Sequence, residues 1–532
     1  RPRRRYGRPA AAAGSAPAAS GSTPAPAASG STPAPAASGS AGAVARRDAG
    51  RRTQPQRPAD PRRTAYDVLA AVREREAYAN LLLPRLLADR QLAGRDAAFA
   101  TELAYGTLRG QGTYDAVLAA CSDRPLDKLD PPVLDVLRLG THQLLSTRVG
   151  AHAAVATSVD LAKSVIGPRV SGYVNAVLRR VATRELDAWL AIVAPDPAQD
   201  PDGYLAVRYS HPRWIVAAYR DALGAAAAGQ PAAPPGPAEA AAVTELEAAL
   251  AAGNARPKVT LATFPAGPPR ADVMPSDAEP GRWSPYAFTL ASGNPASLVE
   301  DGTAAVQDEG SQLAAIALSS VPGPGRRDGG PEHWLDLCAG PGGKARLLYG
   351  LAANQGARLT AAELHPHRAA LVTEALTRAG AAMTSPRPAF EVLTADATVP
   401  PWPDGTFDRV LADVPCSGLG ALRRRPEARW RKSEADLPAL ADLQRNLLRA
   451  ALAAVRPGGV VAYVTCSPVP AETSGVVAEG VASRTDVEVL DAPAVLPGVP
   501  GTRSPDPRFA QLWPHRHGTD AIFIALLRRA PR

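Results

Sequence analysis

The residues of this 532-residue chain best suited to covalent chemistry lie in two short segments, Asp413-Val-Pro-Cys416-Ser417 and Thr465-Cys466-Ser467. Each follows an apolar, strand-like run, residues 409–412 in one case and 460–464 in the other. If both runs lie in one parallel sheet, both thiols emerge at its carboxyl edge, where open α/β sheets place their ligands. A cysteine there, with a carboxylate three residues from its neighbour, is equipped for nucleophilic attack with proton transfer close by.

One reaction needs this set in particular. C5 of a pyrimidine is too weakly nucleophilic to take a methyl group directly. A thiolate adding to C6 makes C5 enamine-like and nucleophilic, which is covalent catalysis. The base must leave its stack first. A carboxyl group near N3 stabilises the developing charge, and a base then removes the C5 proton so that the thiol can depart.

The elements that would position these groups alternate from about residue 300 onward. Strand-like runs at 333–338, 358–363, 389–393, 408–413, 459–464 and 521–526 are mostly separated by helical runs, which predicts βαβ units and a mostly parallel, doubly wound sheet. The first of them enters a glycine-rich turn, Cys338-Ala339-Gly340-Pro341-Gly342-Gly343-Lys344, and then a helix. Glycines admit a ligand to the backbone, and a helix N-terminus offers unpaired N–H groups. Glu363 closes the next strand, where a carboxylate can accept ribose hydroxyls. Asp396, after the third, is placed to meet an adenine amino group. Such a turn fits NAD, FAD or S-adenosylmethionine. It is a poor phosphate loop, because Ala345 follows Lys344 where a Walker lysine is followed by Ser or Thr.

Ahead of this half, residues 1–61 form a basic, low-complexity tail in which Ser-Gly-Ser-Thr-Pro-Ala-Pro-Ala-Ala occurs twice, with little to bury and so expected to be disordered. Residues 62–190 carry 3.6-residue apolar periodicity and read as an all-helical domain, with His142 and His152 as helix-packing side chains. Residues 191–300 read as a linker and a small α+β unit, and 301–532 as the catalytic domain.

The net charge of +8 is local: residues 1–63 hold twelve arginines against Asp48 and Asp60, leaving 47 basic and 49 acidic groups in the rest. Nucleic-acid attraction therefore belongs to the tail and to patches. One patch is Arg423, Arg424, Arg425, Arg429 and Trp430, read as an RNA contact in preference to a solvated charge run, since arginine binds phosphate and tryptophan offers a stacking face. The four cysteines, Cys121, Cys338, Cys416 and Cys466, are too far apart for a zinc motif, so no metal is expected. So few thiols in so long a chain fit a reducing cytoplasm. No apolar run spans a membrane, no signal-peptide core is present, and the chain begins with Arg1.

In these motifs the chain resembles the RNA cytosine-C5 methyltransferases, and among them the bacterial 16S ribosomal RNA enzymes with a NusB-like N-terminal domain. The resemblance covers about residues 62–528. It rests on residues 336–344, 413–420 and 465–467, on Arg423-Arg-Arg-Pro-Glu-Ala-Arg-Trp430 and on Val306-Gln-Asp-Glu-Gly-Ser-Gln312. In the helical half it rests on Ala79-Asn-Leu-Leu-Leu83, residues 102–108, His152-Ala-Ala-Val155 and Tyr173-Val-Asn-Ala-Val-Leu178. It implies a NusB-like helical domain followed by a Rossmann-like class I methyltransferase domain with a seven-stranded sheet. It also implies Cys466 as nucleophile, Cys416 assisting release, Asp413 contacting base and cofactor, and Lys344 positioning the reacting groups. Residues 338–344, Glu363, Asp396 and Asp413 would hold S-adenosylmethionine. The expected partner is RNA, 16S ribosomal RNA before transfer RNA, and the expected state a monomer. Two departures stand out: Ala339-Gly340 where Ala-Ala is usual, and Glu472-Thr473 where Glu-Asn is usual. Competing readings are a non-catalytic RNA-binding assembly factor, a nucleotide-dependent oxidoreductase, which gives the paired cysteines no task, and a DNA C5 enzyme, which needs no second cysteine motif.

Overall fold

Apolar side chains three and four residues apart predict helices from residue 64, and helices form there. The computed structural model describes residues 60–224, 237–291, 295–323, 330–384 and 387–531. All but the end of the low-complexity tail, and the proline-rich stretch 229–236, lie outside them. Helices α1 (Pro61–Arg75), α2 (Ala79–Asp89), α3 (Gly94–Cys121), α4 (Pro131–Ser146), α5 (Ala151–Val165), α6 (Ser171–Val181) and α7 (Leu186–Val193) share one core. At its centre Leu103, Val136, Leu137, Val174 and Leu178 are fully buried, each burial worth about 1.5–3 kcal/mol. Asp60 caps α1 by accepting the Arg62 N–H at 2.9 Å. Pro131 and Pro132 open α4, where a missing N–H costs nothing. His142 is buried against the Tyr114 hydroxyl, 2.9 Å away, whereas His152 is exposed and packs against no helix core.

Helices α8 (Pro201–Arg208), α9 (Arg213–Leu223) and α10 (Pro237–Asn254) follow and share a second core with Leu419, Val469 and Trp513 of the catalytic half. Next comes a small antiparallel sheet of β1 (Val259–Thr263), β2 (Glu279–Pro280), β3 (Ala287–Leu290) and β4 (Ala304–Val306), in the order β2-β3-β1-β4. Gln312 fastens it to the catalytic half: its buried amide donates to Leu261 O and Gln307 O and accepts the Ser284 hydroxyl.

The principal sheet contains β5 (His333–Asp336), β6 (Arg358–Glu363), β7 (Phe390–Thr394), β8 (Phe407–Asp413), β9 (Val455–Thr465), β10 (Val487–Leu490), β11 (Ala510–Gln511) and β12 (Phe523–Arg529). Seven strands run in the order β10-β12-β9-β8-β5-β6-β7, and β11 pairs β12. The five from β9 to β7 are parallel; β12 runs antiparallel between β9 and β10. Helices 309–320, 343–354 and 366–381 cover one face, and 437–454 with 474–482 the other. Burial on both faces is why the strands read as unbroken Val, Leu and Ala runs. The six expected strands are present with ends shifted by a few residues, while β10 and β11 were not foreseen. Among the described residues no helix is long and apolar enough to cross a membrane.

Candidate active site

Strands β8 and β9 are neighbours, with Asp413 opposite Val464. Past the strands the pairing continues: Val414 N–H donates to Val464 O at 3.0 Å, and Gly420 N–H to Cys466 O at 2.8 Å. The two cysteine segments therefore leave the same carboxyl edge side by side, and Cys416 Sγ lies 3.3 Å from Cys466 Sγ, both as free thiols. Lys344, in the first turn of the helix after the glycine loop, donates from Nζ to Asp413 Oδ2 at 2.8 Å.

The two thiols are not equivalent. The hydrogen bond from Cys416 pulls Cys466 below the ordinary thiol range; burial and Asp413 oppose it, and Lys344 and Arg425 reinforce it. The same hydrogen bond pushes Cys416 well above that range, helped by burial and by the charges of Cys466 and Glu472. The hydrogen bond thus makes Cys466 the more acidic thiol of the pair and Cys416 the less acidic. Lys344 is itself buried, which lowers its pKa, but Asp413 outweighs burial and holds the ammonium above the ordinary lysine value.

Beside the thiols runs the glycine loop, from β5 into helix 343–354. Glu363 is buried at the end of β6: Oε2 accepts the Gly340 N–H at 3.1 Å, Oε1 the His365 N–H at 3.0 Å, and Arg368 lies 3.4 Å away. A Cβ on Gly340 would stand 2.1 Å from Glu363 Oε2, so glycine there lets the carboxylate close onto the loop. Gly342 has φ +107°, open to glycine alone without strain, and beyond Gly343 there is free space. The exposed Pro341 carries the loop outward, between Cys338, whose thiol is pushed up by burial and then by Asp336, and Lys344. Asp396 is exposed after β7, its Oδ1 accepting the Thr398 N–H at 2.9 Å and hydroxyl at 2.6 Å.

Two acids were not singled out from the sequence. Asp336, closing β5, is fully buried, neither carboxylate oxygen has a hydrogen-bond partner, and burial and then Asp413 push it up to about 8. Its signal was its position, an acid immediately before the glycine loop. A buried carboxylate without a side-chain partner, immediately before that loop, suits a ligand carrying a cationic amine. Glu472 is fully buried beneath the cysteines, and Pro470-Ala-Glu472 was its only mark.

The expectation of an arginine face for RNA is corrected at four positions. Arg423 donates to Asp520 and Asp308 at 2.8 Å each, and Arg424 to Asp308 at 2.6 Å and Asp520 at 3.1 Å, so both close a buried four-charge cluster. Arg429 is fully buried and donates to Asn254 Oδ1 at 2.7 Å and to the carbonyls of Ser210, Arg109 and Gly253. Trp430 lies against Gly112 of α3, where a Cβ would stand 2.5 Å from the ring. Only Arg425 of the set is exposed, its guanidinium 5.2 Å from the half-exposed Tyr78 ring. Spacing shows a run of positive charge and cannot show acids that lie 96 to 116 residues away. Among the described residues no three His, Cys, Asp or Glu side chains converge as a metal site.

The family model for 16S rRNA methyltransferase RsmB/F matches residues 328–528, and that of the NusB family residues 59–183. The chain is 50% identical to Rv1407 of Mycobacterium tuberculosis, which carries a provisional methyltransferase description, over 89% of this chain and 98% of that protein. It is 33% identical to ribosomal RNA small subunit methyltransferase B of Pseudomonas putida, over 88% and 98%. The crystal structure of PH0851 superposes with TM-score 0.69 at 21% identity, over 88% of this chain and 99% of that one, and shares the fold. The chain belongs to the RsmB/F family of methyltransferases.

Proposed function

We propose that the chain transfers a methyl group from S-adenosylmethionine to C5 of a cytosine in RNA, with 16S ribosomal RNA as substrate. The observation that carries this reading is the thiol pair, 3.3 Å apart with Cys466 its more acidic member, beside Lys344 and Asp413 at the mouth of the glycine loop. Residues 338–344, Glu363, Asp336 and Asp396 fit the cofactor: open backbone, a buried carboxylate on the ribose side, an unpartnered one for the methionyl ammonium, and an exposed acid for adenine. When bound, S-adenosylmethionine supplies an electrophilic methyl group.

The chain's own groups do the rest. The Cys466 thiolate adds to C6 of the flipped base, and a proton delivered from the Lys344–Asp413 pair meets the negative charge developing at N3. Once C5 is methylated, a water molecule admitted to the site takes the C5 proton, the electrons of that C–H bond re-form the C5–C6 double bond, and the Cys466–C6 bond breaks with Cys466 leaving as thiolate. Cys416 stands at the sulfur that departs. The substrate assignment draws on the names of the relatives.

Cys416→Ala is expected to accumulate a covalent RNA adduct seen as a gel shift, while Cys466→Ala gives neither adduct nor product. The reverse pattern would exchange the two roles. Bisulfite mapping of RNA from a deletion strain names the nucleotide, and a lost signal in transfer RNA alone would move the substrate there.

A further inference from the structure

Beneath the thiol pair lies a carboxylate that the reaction scheme leaves without a task. Glu472 sits in the 3-10 turn Pro470–Glu472 with its side chain fully buried. Oε1 accepts the Ser417 N–H at 2.7 Å and Gln444 Nε2 at 3.0 Å. Oε2 accepts the Ser417 hydroxyl at 2.5 Å and the Ser467 hydroxyl at 2.6 Å. Ser417 follows Cys416 and Ser467 follows Cys466, so one carboxylate grips the residue after each cysteine. Gln444 adds a bond to Pro415 O at 2.9 Å, and the Tyr463 hydroxyl donates to Glu472 O at 2.8 Å, fixing the turn itself. Among the described residues no basic side chain pairs with Glu472. Four neutral donors surround its two oxygens.

The charged and titratable groups around the thiols come from every side. Lys344 of helix 343–354, Asp413 at the end of β8 and Arg425 of the following loop face Cys466, whereas Glu472 and Tyr463 face Cys416. We propose that Glu472 is a positioning residue for the thiol pair: it holds the two cysteine loops in register through Ser417 and Ser467, and by its charge keeps the shared proton on Cys416. The Cys416 thiol then donates to Cys466, which stays the thiolate. The proposal rests on Cys466 being the attacking group, as argued above.

The test is site-resolved alkylation of the full-length protein with iodoacetamide across pH 6–10, read by mass spectrometry, alongside methylation of RNA. In the unaltered protein Cys466 is expected to be alkylated ahead of Cys416, at a pH below the ordinary thiol range. Glu472→Gln, which keeps the shape and removes the charge, is expected to reduce that preference at least tenfold and to move the acid limb of the kcat profile. S-adenosylhomocysteine binding and melting temperature report whether it is folded. An unchanged preference in folded Glu472→Gln overturns the proposal. Ser467→Ala removes one tie and leaves the charge; it is expected to keep the alkylation order and lower kcat several-fold at constant KM for RNA, and an unaltered kcat overturns the positioning role even if Glu472→Gln does not fold. Absence of RNA methylation by the unaltered protein would instead sink the functional reading, with the alkylation preference still reporting on Glu472.

Discussion

Lys344 Nζ donates to Asp413 Oδ2 at 2.8 Å, and the same ammonium acts on the Cys466 thiol. One cation thus serves a carboxylate and a thiolate at once. Lys344→Met removes the attraction that lowers the thiol while leaving the hydrogen bond from Cys416. The Cys466 pKa is expected to rise. Methylation at pH 7 should fall 10–100-fold and recover in part toward pH 9. A pH–rate profile checks this, and a flat loss at every pH would show that Lys344 acts some other way.

Asp336 couples stability to pH. Its folded value of about 8 stands far above that of an unfolded aspartate, near 3.9. The folded chain therefore keeps a proton that the unfolded chain has released, and stability falls as pH rises between those values, by up to ~1.4 kcal/mol per unit. Asp336→Asn should melt higher than the unaltered ligand-free protein at pH 8, with the gap closing toward pH 5. It should also bind S-adenosylhomocysteine more weakly. Melting curves at both pH values and a binding isotherm decide the point.

Arg429 and Arg425 stand four residues apart and should behave oppositely. Arg429→Ala leaves the carbonyls of Ser210, Arg109 and Gly253 and Asn254 Oδ1 buried without their donor, so about 3 kcal/mol or more of stability should be lost. Arg425→Ala should leave denaturant midpoints nearly unchanged, weaken RNA binding and reduce its salt slope by about one. Denaturation and salt-dependent binding of the two variants separate the roles.

Gly420 has no room for a side chain: a Cβ would stand 2.0 Å from Ala521 O and 2.8 Å from Cys466 O, both backbone atoms. Gly420→Ala must displace the Cys466 segment, costing about 1–3 kcal/mol. Because displacements near 1 Å can cost a hundredfold in rate, activity should drop by about that factor while cofactor binding persists. A single-turnover assay at saturating cofactor measures it.

The parallel core of the sheet was legible because β5, β6, β8 and β9 are buried on both faces and therefore spelled in unbroken apolar runs. Strands β10 and β11 were not, since Val487–Leu490 is half exposed and Ala510–Gln511 is two residues long. At the site, Lys344 and Asp413, although 69 residues apart, were visible as motif positions, and the structure adds their contact. The unequal acidity of the two thiols was not visible, because it depends on groups brought together by folding. The arginine run misled for the same reason: Asp308 and Asp520 lie far along the chain and meet Arg423 and Arg424 only in space.

The seam at residues 427–431 has a consequence for how such a chain can change over generations. Glu427 accepts the Ala79 N–H at 3.2 Å, Arg429 reaches into α3 and α10, Trp430 lies on Gly112, and Arg431 donates to Ala77 O. The catalytic half thus supplies side chains whose lodging is built by the helical half. An exchange that brought in a foreign helical half would strand a buried cation and leave its acceptors empty. The two halves are therefore inherited as one piece, and substitutions at positions 79, 109–112, 253–254 and 427–431 should arise together in descendants of this chain.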